Sequence, residues 1–197
     1  MDEFQAACKS GNVEVMRTLL ADSRVNPADN NNWAIRFVSK YGHAEGVKAL
    51  LADPRVNPAD SKNEAIRVAS DTGDVEVVRA LLADARVNPA DRDNHAIQLA
   101  SENGHVEVVK LLLADPRVNP AANNNYAIRY ASQDGHVEVV HLLLTDCRVD
   151  PTANNNYAIH AASHNGHVEV VKLLVADSRV DPSDVKSDNP VIQKMLA

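Results

Sequence analysis

The chain has 197 residues, 45% of them hydrophobic, and a formal net charge of −7. That balance suits an ordinary soluble folded protein, argues against the basic stripe of a nucleic-acid binder and disfavours an anionic membrane surface as partner. No apolar run approaches the roughly 18 residues that span a bilayer, and Met1-Asp2-Glu3-Phe4 has neither the basic nor the apolar region of a secretory signal.

Six of the seven glycines stand 31 residues apart, at Gly11, Gly42, Gly73, Gly104, Gly135 and Gly166. A fixed period between about 20 and 50 residues marks a repeat architecture. One period is too short to bury an apolar face alone, so neighbouring units must stack. The chain therefore reads as a single solenoid over 1–197, with an N-terminal cap at 1–27 and internal units at 28–58, 59–89, 90–120, 121–151 and 152–182. Residues 183–197 then supply a C-terminal cap helix.

In the first segment Phe4 takes the phase of an isoleucine found in every later unit, and Asp2 or Glu3 favours a helix N-terminus. Each internal unit predicts two short helices and a turn-rich connection. The unit ending at Pro151 places the first helix at about Tyr126–Gln133 and the second at about Val137–Leu144. Asn recurs ahead of the first helix as Asn32, Asn63, Asn94, Asn125 and Asn156, where its side chain is expected to act as N-cap. The in-phase glycine follows that helix and is expected at positive φ, so a β-branched residue at Gly104 should cost more than a surface change. Ser39, Ser70, Ser101, Ser132 and Ser163 precede it and are small enough for helices to approach closely.

The second helices are apolar around most of their circumference, which suits a helix sandwiched between neighbours. Their exposed side carries an acid three residues before a base or histidine, as in Glu45/Lys48 and Glu107/Lys110, worth about 0.2–0.5 kcal/mol per pair. Pro27, Pro58, Pro89, Pro120, Pro151 and Pro182 end the connections, which cannot be helix interior or central strand. At the far end Ser187-Asp188-Asn189-Pro190 opens the cap helix, with Asn or Asp at the N-cap and Pro at the first position. Val191, Ile192, Met195 and Leu196 are expected to close the last apolar face.

The stretch A-S-E-N-G-H-V-E-V-V-K-L-L-L at 100–113, with copies starting at Ala131 and Ala162, is similar to the A-A-x-x-G-H-x-E-V-V-K-L-L-L signature of the ankyrin repeat family. The resemblance covers nearly the whole chain. It implies an all-α, ankyrin-type helix-turn-helix solenoid whose first helices line a concave groove where partner proteins dock. Units of 31 residues are shorter than the family's usual 33. Both missing residues fall between a second helix and the next first helix, so a compact Pro-containing loop is expected in place of projecting β-hairpin fingers. The family's T-P-L-H entry becomes Trp33-Ala34-Ile35-Arg36 and its counterparts, and the hairpin glycines are absent. Asn124 and Asn155 stand nearby, of the type next most tolerant of positive φ.

Chemistry-bearing patterns are few. His43, His105, His136 and His167 each belong to a Gly-His turn. In-phase residues of packed helices stand about 8–10 Å apart, too far to share one zinc with ligands at about 2 Å, so structural capping is expected. His160 and His164 are spaced i,i+4 without an evident third ligand. No phosphate loop, nucleophile elbow or metal-spaced cysteine pair is present; no catalytic residue, metal or cofactor is expected. Cys8 and Cys147 lie too many units apart for a disulfide, which suits an intracellular, cytoplasmic setting.

All seven aromatic residues fall in first-helix segments. Phe4, Phe37 and Tyr130 take core phases, whereas Trp33, Tyr126 and Tyr157 share a phase with Glu64 and His95 and are expected to be exposed. Variable pairs before the glycine, including Lys40-Tyr41, Glu102-Asn103 and Gln133-Asp134, lie close by. The candidate partner-binding residues are Trp33, Arg36, Tyr41, Glu64, Arg67, His95, Gln98, Tyr126, Arg129, Tyr157, His160 and His164. Large rings such as these dominate binding hot spots. The expected function is a non-catalytic module, monomeric when alone, that binds another protein and neither nucleic acid nor membrane. The alternative is a structural spacer or self-associating scaffold with no specific ligand.

Overall fold

The computed structural model describes residues 3–183 and 185–196, and among them there are thirteen helices and no strand. In chain order these are α1 (Glu3–Ser10), α2 (Val13–Leu20), α3 (Asp29–Lys40), α4 (Ala44–Leu51), α5 (Asp60–Thr72) and α6 (Val75–Leu82). There follow α7 (Asp91–Glu102), α8 (Val106–Ala114), α9 (Ala122–Gln133), α10 (Val137–Leu144), α11 (Ala153–His164), α12 (Val168–Ala176) and α13 (Pro190–Leu196). The chain divides into two compact units, Met1–Ala96 and Ile97–Ala197, the division falling inside α7.

The second helix of the unit ending at Pro151 matches its expected span, Val137–Leu144. The first helix differs. α9 opens at Ala122, but Asn123, Asn124 and Asn125 hold φ of 54°, 56° and 57°, a left-handed turn, before right-handed helix begins at Tyr126. The same turn recurs at 30–32, 61–63, 92–94 and 154–156. Left-handed backbone costs an ordinary residue about 1–2 kcal/mol, and Asn is among the types that tolerate it best. Eleven of these fifteen positions are Asn, which accounts for the Asn-Asn-Asn runs.

This turn corrects the reading of the recurrent Asn as an N-cap. Asn32 makes no capping bond to its own helix; its Nδ2 donates to Asp60 Oδ2 at 2.9 Å, and its Oδ1 accepts from the Asn57 amide at 2.8 Å. Asn63 does the same with Asp91 Oδ2 at 2.9 Å and the Asn88 amide at 2.8 Å. Asn125 Oδ1 accepts from the Asp150 amide at 2.8 Å. The side chain thus ties its turn to the connection that ends its own repeat and, for Asn32 and Asn63, to the aspartate that opens the next.

A second tie runs the other way. Arg148 chelates its loop neighbour Asp146 and donates through Nη1 to Val118 O at 2.7 Å, one repeat earlier. Arg55, Arg86 and Arg179 repeat the arrangement on Val25 O, Val56 O and Val149 O. Arg24 has its aspartate alone and stays 88% exposed. The arginine hydrogen bond holds the Asp146 carboxyl below the usual carboxylate range, as it does for Asp53, Asp84, Asp115 and Asp177.

A depressed folded-state pKa adds stability that is present above the unfolded value, about 3.9, and is lost as pH falls through the folded one. Urea midpoints are therefore expected to hold between about pH 7 and 5 and to fall below about pH 4. Arg148→Ala should lower stability by about 1–2 kcal/mol, after allowing for its partial exposure. It should also shallow the acid limb, whereas Arg24→Ala should leave the midpoint in place.

The core is one layer repeated. Ile35, Ile66, Ile128 and Ile159 of the first helices, with Leu50, Leu81, Leu112, Leu143 and Leu174 of the second, are at most 1% exposed. Val56, Val87, Val118 and Val149 of the connections are at most 2% exposed. Phe4 fills the isoleucine phase at 5% exposure, and Asn189 caps α13 by accepting from the Val191 amide at 2.9 Å. The hydroxyl oxygens of Ser39, Ser70, Ser101, Ser132 and Ser163 are buried with no hydrogen-bond partner among the described residues. Size, rather than polarity, suits serine to this position. Ser132→Ala is expected to raise stability by up to about 1 kcal/mol in urea denaturation, because an unsatisfied buried hydroxyl is removed at nearly constant shape.

Candidate partner-binding face

In the first unit Trp33 and Phe37, four apart on α3, and Tyr41, just past its end, align three rings along one side. Trp33 and Phe37 have centroids 4.7 Å apart, and Phe37 and Tyr41 4.4 Å. The Lys9 ammonium lies 5.8 Å from the Trp33 ring and that of Lys40 lies 5.9 Å from the Tyr41 ring. Phe37, expected in the core, is half-buried as the middle ring of this ladder. Trp33, expected to be exposed, is also half-buried, and Tyr41 is 55% exposed.

Arg36 stands beside the ladder and donates through Nη1 to Glu64 Oε2 at 2.8 Å. Its Nε and Nη2 donate to the Asn31 and Asn30 carbonyls, each at 3.0 Å. On α5 Arg67 Nε donates to Lys62 O at 3.1 Å, and burial lowers the guanidinium below its ordinary pKa. His95 is half-buried.

The second unit gathers its own cluster. Tyr126 and Tyr130 of α9 stack at 4.0 Å, and Tyr157 of α11 lies 6.0 Å from Tyr130. The Arg129 guanidinium stands 5.9, 5.5 and 5.3 Å from these three rings, within cation–π range. Tyr126 donates its hydroxyl to Glu102 Oε2 at 2.9 Å, and Tyr157 donates to Gln133 Oε1. Burial, reinforced by Glu102, pushes the Tyr126 phenol up to about 12, so it remains a donor at neutral pH. Tyr130, expected in the core, is half-buried between its two neighbours. His160 and His164 are exposed.

Gln98 does not join this surface: only 4% of it is exposed. The remaining candidates separate into two sets, Trp33, Arg36, Tyr41, Glu64, Arg67 and His95 in the first unit, and Tyr126, Arg129, Tyr157, His160 and His164 in the second. Lys9, Lys40, Tyr130, Glu102 and Gln133 complete the two clusters. Glu102 and Gln133 belong to the variable pair before the glycine, and the tyrosine exactly one helix start later was the available signal for their pairing.

Two of the turn histidines bridge to the first helix of the preceding repeat. His136 Nε2 lies 2.8 Å from Glu102 O, and His167 Nε2 lies 2.9 Å from Gln133 O. Among the described residues no group of three His, Cys, Asp or Glu is placed to hold a metal ion. No helix among them is long and apolar enough to cross a membrane. Cys8 is buried, Cys147 is exposed, and neither is in a disulfide.

Short helix pairs recurring every 31 residues, tied by loop arginines and turn asparagines, define a helical repeat solenoid. The chain belongs to the ankyrin repeat family: the family model for ankyrin repeats (3 copies) matches residues 32–124 and 97–186. Among solved structures it is similar to the ankyrin repeat domain of human ASB11, with a TM-score of 0.81 at 20% identity, covering 100% of this chain and 97% of that one. It is also similar to the ankyrin repeat domain of Bcl-3, a member of the IkappaB protein family, with a TM-score of 0.72 at 20% identity, covering 100% and 99%. At that identity the likeness concerns the fold. No curated protein matches the chain. Ankyrin repeat domains are in general protein–protein interaction modules.

Proposed function

We propose that this chain is a non-catalytic binding module that captures another protein on its first-helix face, with Tyr41 as the leading contact in the first unit. The observation that carries this reading is the exposure of Tyr41, 55%, at the open end of a ring ladder flanked by Lys9 and Lys40. A large amphipathic ring left in water on an otherwise packed face is the kind of anchor that hot spots use. Trp33 and Tyr157 are held by packing and a hydrogen bond, so their truncation would also disturb folding. Tyr41 is the cleaner probe.

A photo-crosslinking phenylalanine analogue placed at Tyr41, with Lys110 on α8 as the control position, tests the reading in the native cell. Adducts to another protein from position 41, and none from position 110, are expected. Tyr41→Ala should leave folding stability within about 1 kcal/mol of the parent while reducing capture of the crosslinked protein. Adducts only between copies of the chain would favour the self-associating scaffold, and no adduct at all would favour the spacer.

A further inference from the structure

Three first helices use an arginine in one way. Arg36 Nε bonds Asn31 O and Nη2 bonds Asn30 O, both at 3.0 Å. Arg67 reaches Lys62 O at 3.1 Å and Ser61 O at 3.2 Å through the same two nitrogens. Arg129 reaches Asn124 O at 2.9 Å and Asn123 O at 3.3 Å. In every case Nε takes the second carbonyl of the left-handed turn and Nη2 takes the first. The surroundings then add an acid, Glu64, for Arg36, or tyrosine rings for Arg129.

α11 carries the same turn, with φ of 58°, 56° and 58° at Asn154, Asn155 and Asn156. Tyr157 occupies the ring position that Tyr126 holds beside Arg129. The arginine phase, however, is filled by His160, which is exposed. Its short side chain makes no hydrogen bond to the turn, and no side chain among the described residues donates to the carbonyls of Asn154 or Asn155. Two acceptors thus stand in a geometry that this protein itself fills with a guanidinium three times over.

We infer that the Asn154–Tyr157 turn is a receiving site for an arginine side chain of a partner protein. The arginine's Nε bonds Asn155 O, its Nη2 bonds Asn154 O, and its plane lies against the Tyr157 ring. Two carbonyls at a fixed spacing suit the planar fork of arginine and give lysine, a single-point donor, less to hold. The net charge of −7 favours approach of a basic segment. Asp188, exposed and one repeat length beyond Tyr157, has the sequence phase in which Glu64 pairs with Arg36. This assignment rests on the protein-binding reading above and names the chemistry of one contact within it.

The test is an NMR titration of the ¹⁵N-labelled full chain with the capped tripeptide acetyl-Gly-Arg-Gly-amide and its Gly-Lys-Gly counterpart. Saturable shifts confined to the amides of residues 154–160 are expected, with the lysine peptide at least about fivefold weaker. His160→Arg supplies the side chain in cis. It should abolish the arginine-peptide shifts and add one slowly exchanging Nε–H resonance beside those of Arg36, Arg67 and Arg129. Shifts absent from 154–160, or undiminished in the His160→Arg protein, would overturn the assignment. So would a concentration-dependent mass that His160→Arg removes, since the arginine would then come from a second copy. Crosslinking at Tyr41 with a failed titration would sink this contact alone; the reverse would sink the Tyr41 face and leave the turn as the binding site.

Discussion

Gly104→Val is expected to cost about 2–5 kcal/mol, read as a fall in the urea midpoint at unchanged slope. Two physical terms combine. Gly104 sits at φ +73°, where a β-branched residue is strained before any neighbour is considered. A Cβ there would also lie 2.5 Å from Nδ1 of His136, whose ring cannot swing aside without giving up the 2.8 Å contact of Nε2 with Glu102 O. Gly166 separates the two terms. Its φ is +76°, yet the nearest atom to an added Cβ is Asn189 Nδ2 at 3.8 Å. Gly166→Ala should therefore show only the backbone cost, about 1 kcal/mol. Equal losses for Gly104→Ala and Gly166→Ala would mean that the histidine lid contributes nothing.

Asn63→Ala is expected to lower stability by about 3–5 kcal/mol. Asn63 is 4% exposed, and its amide serves both the Asp91 carboxylate and the Asn88 backbone N–H. Truncation leaves those two groups facing a cavity and places alanine at φ 53°. Asn63→Gly removes the same bonds but accepts the left-handed backbone, so it should recover about 1 kcal/mol relative to alanine. Identical stabilities for the two variants would show that the turn carries no strain worth relieving.

Much of this architecture could be read from residue spacing. The second helix at about Val137–Leu144 was legible because an apolar stretch between a glycine turn and a proline-ended loop leaves little choice. The positive φ of the phased glycines followed from the absence of a side chain at a tight helix-to-helix turn. The left-handed turns did not follow. Local rules treat left-handed backbone as a single-residue event, and an Asn before a helix is ordinarily an N-cap. What decides in favour of the turn is non-local, since Asn32 gains Asn57 from the far end of its own repeat and Asp60 from the next.

The binding face was partly legible. Aromatic residues were correctly placed on first helices, but phase alone could not distinguish a buried ring from one stacked on its i+4 neighbour, as with Phe37 and Tyr130. Gln98 shares its phase with Arg36 and Arg129, yet is buried. Arg36, Arg67 and Arg129 looked like groups free for a partner because the carbonyls they serve belong to a turn that was not foreseen. The loop arginines carried a visible signal, an aspartate two residues before each, as in Asp53/Arg55 and Asp146/Arg148.

Those loop arginines give the stack a direction. Each clasp is carried by the later repeat and closes on backbone oxygens of the earlier one, as Arg55 does on Leu20 O and Val25 O. A repeat that carries such a clasp therefore brings with it the fastener for the segment just before it in the chain. Deleting a leading repeat strips a guanidinium of its acceptors, whereas deleting a trailing one merely returns carbonyls to water, so nested truncations from the two ends should not be equally costly.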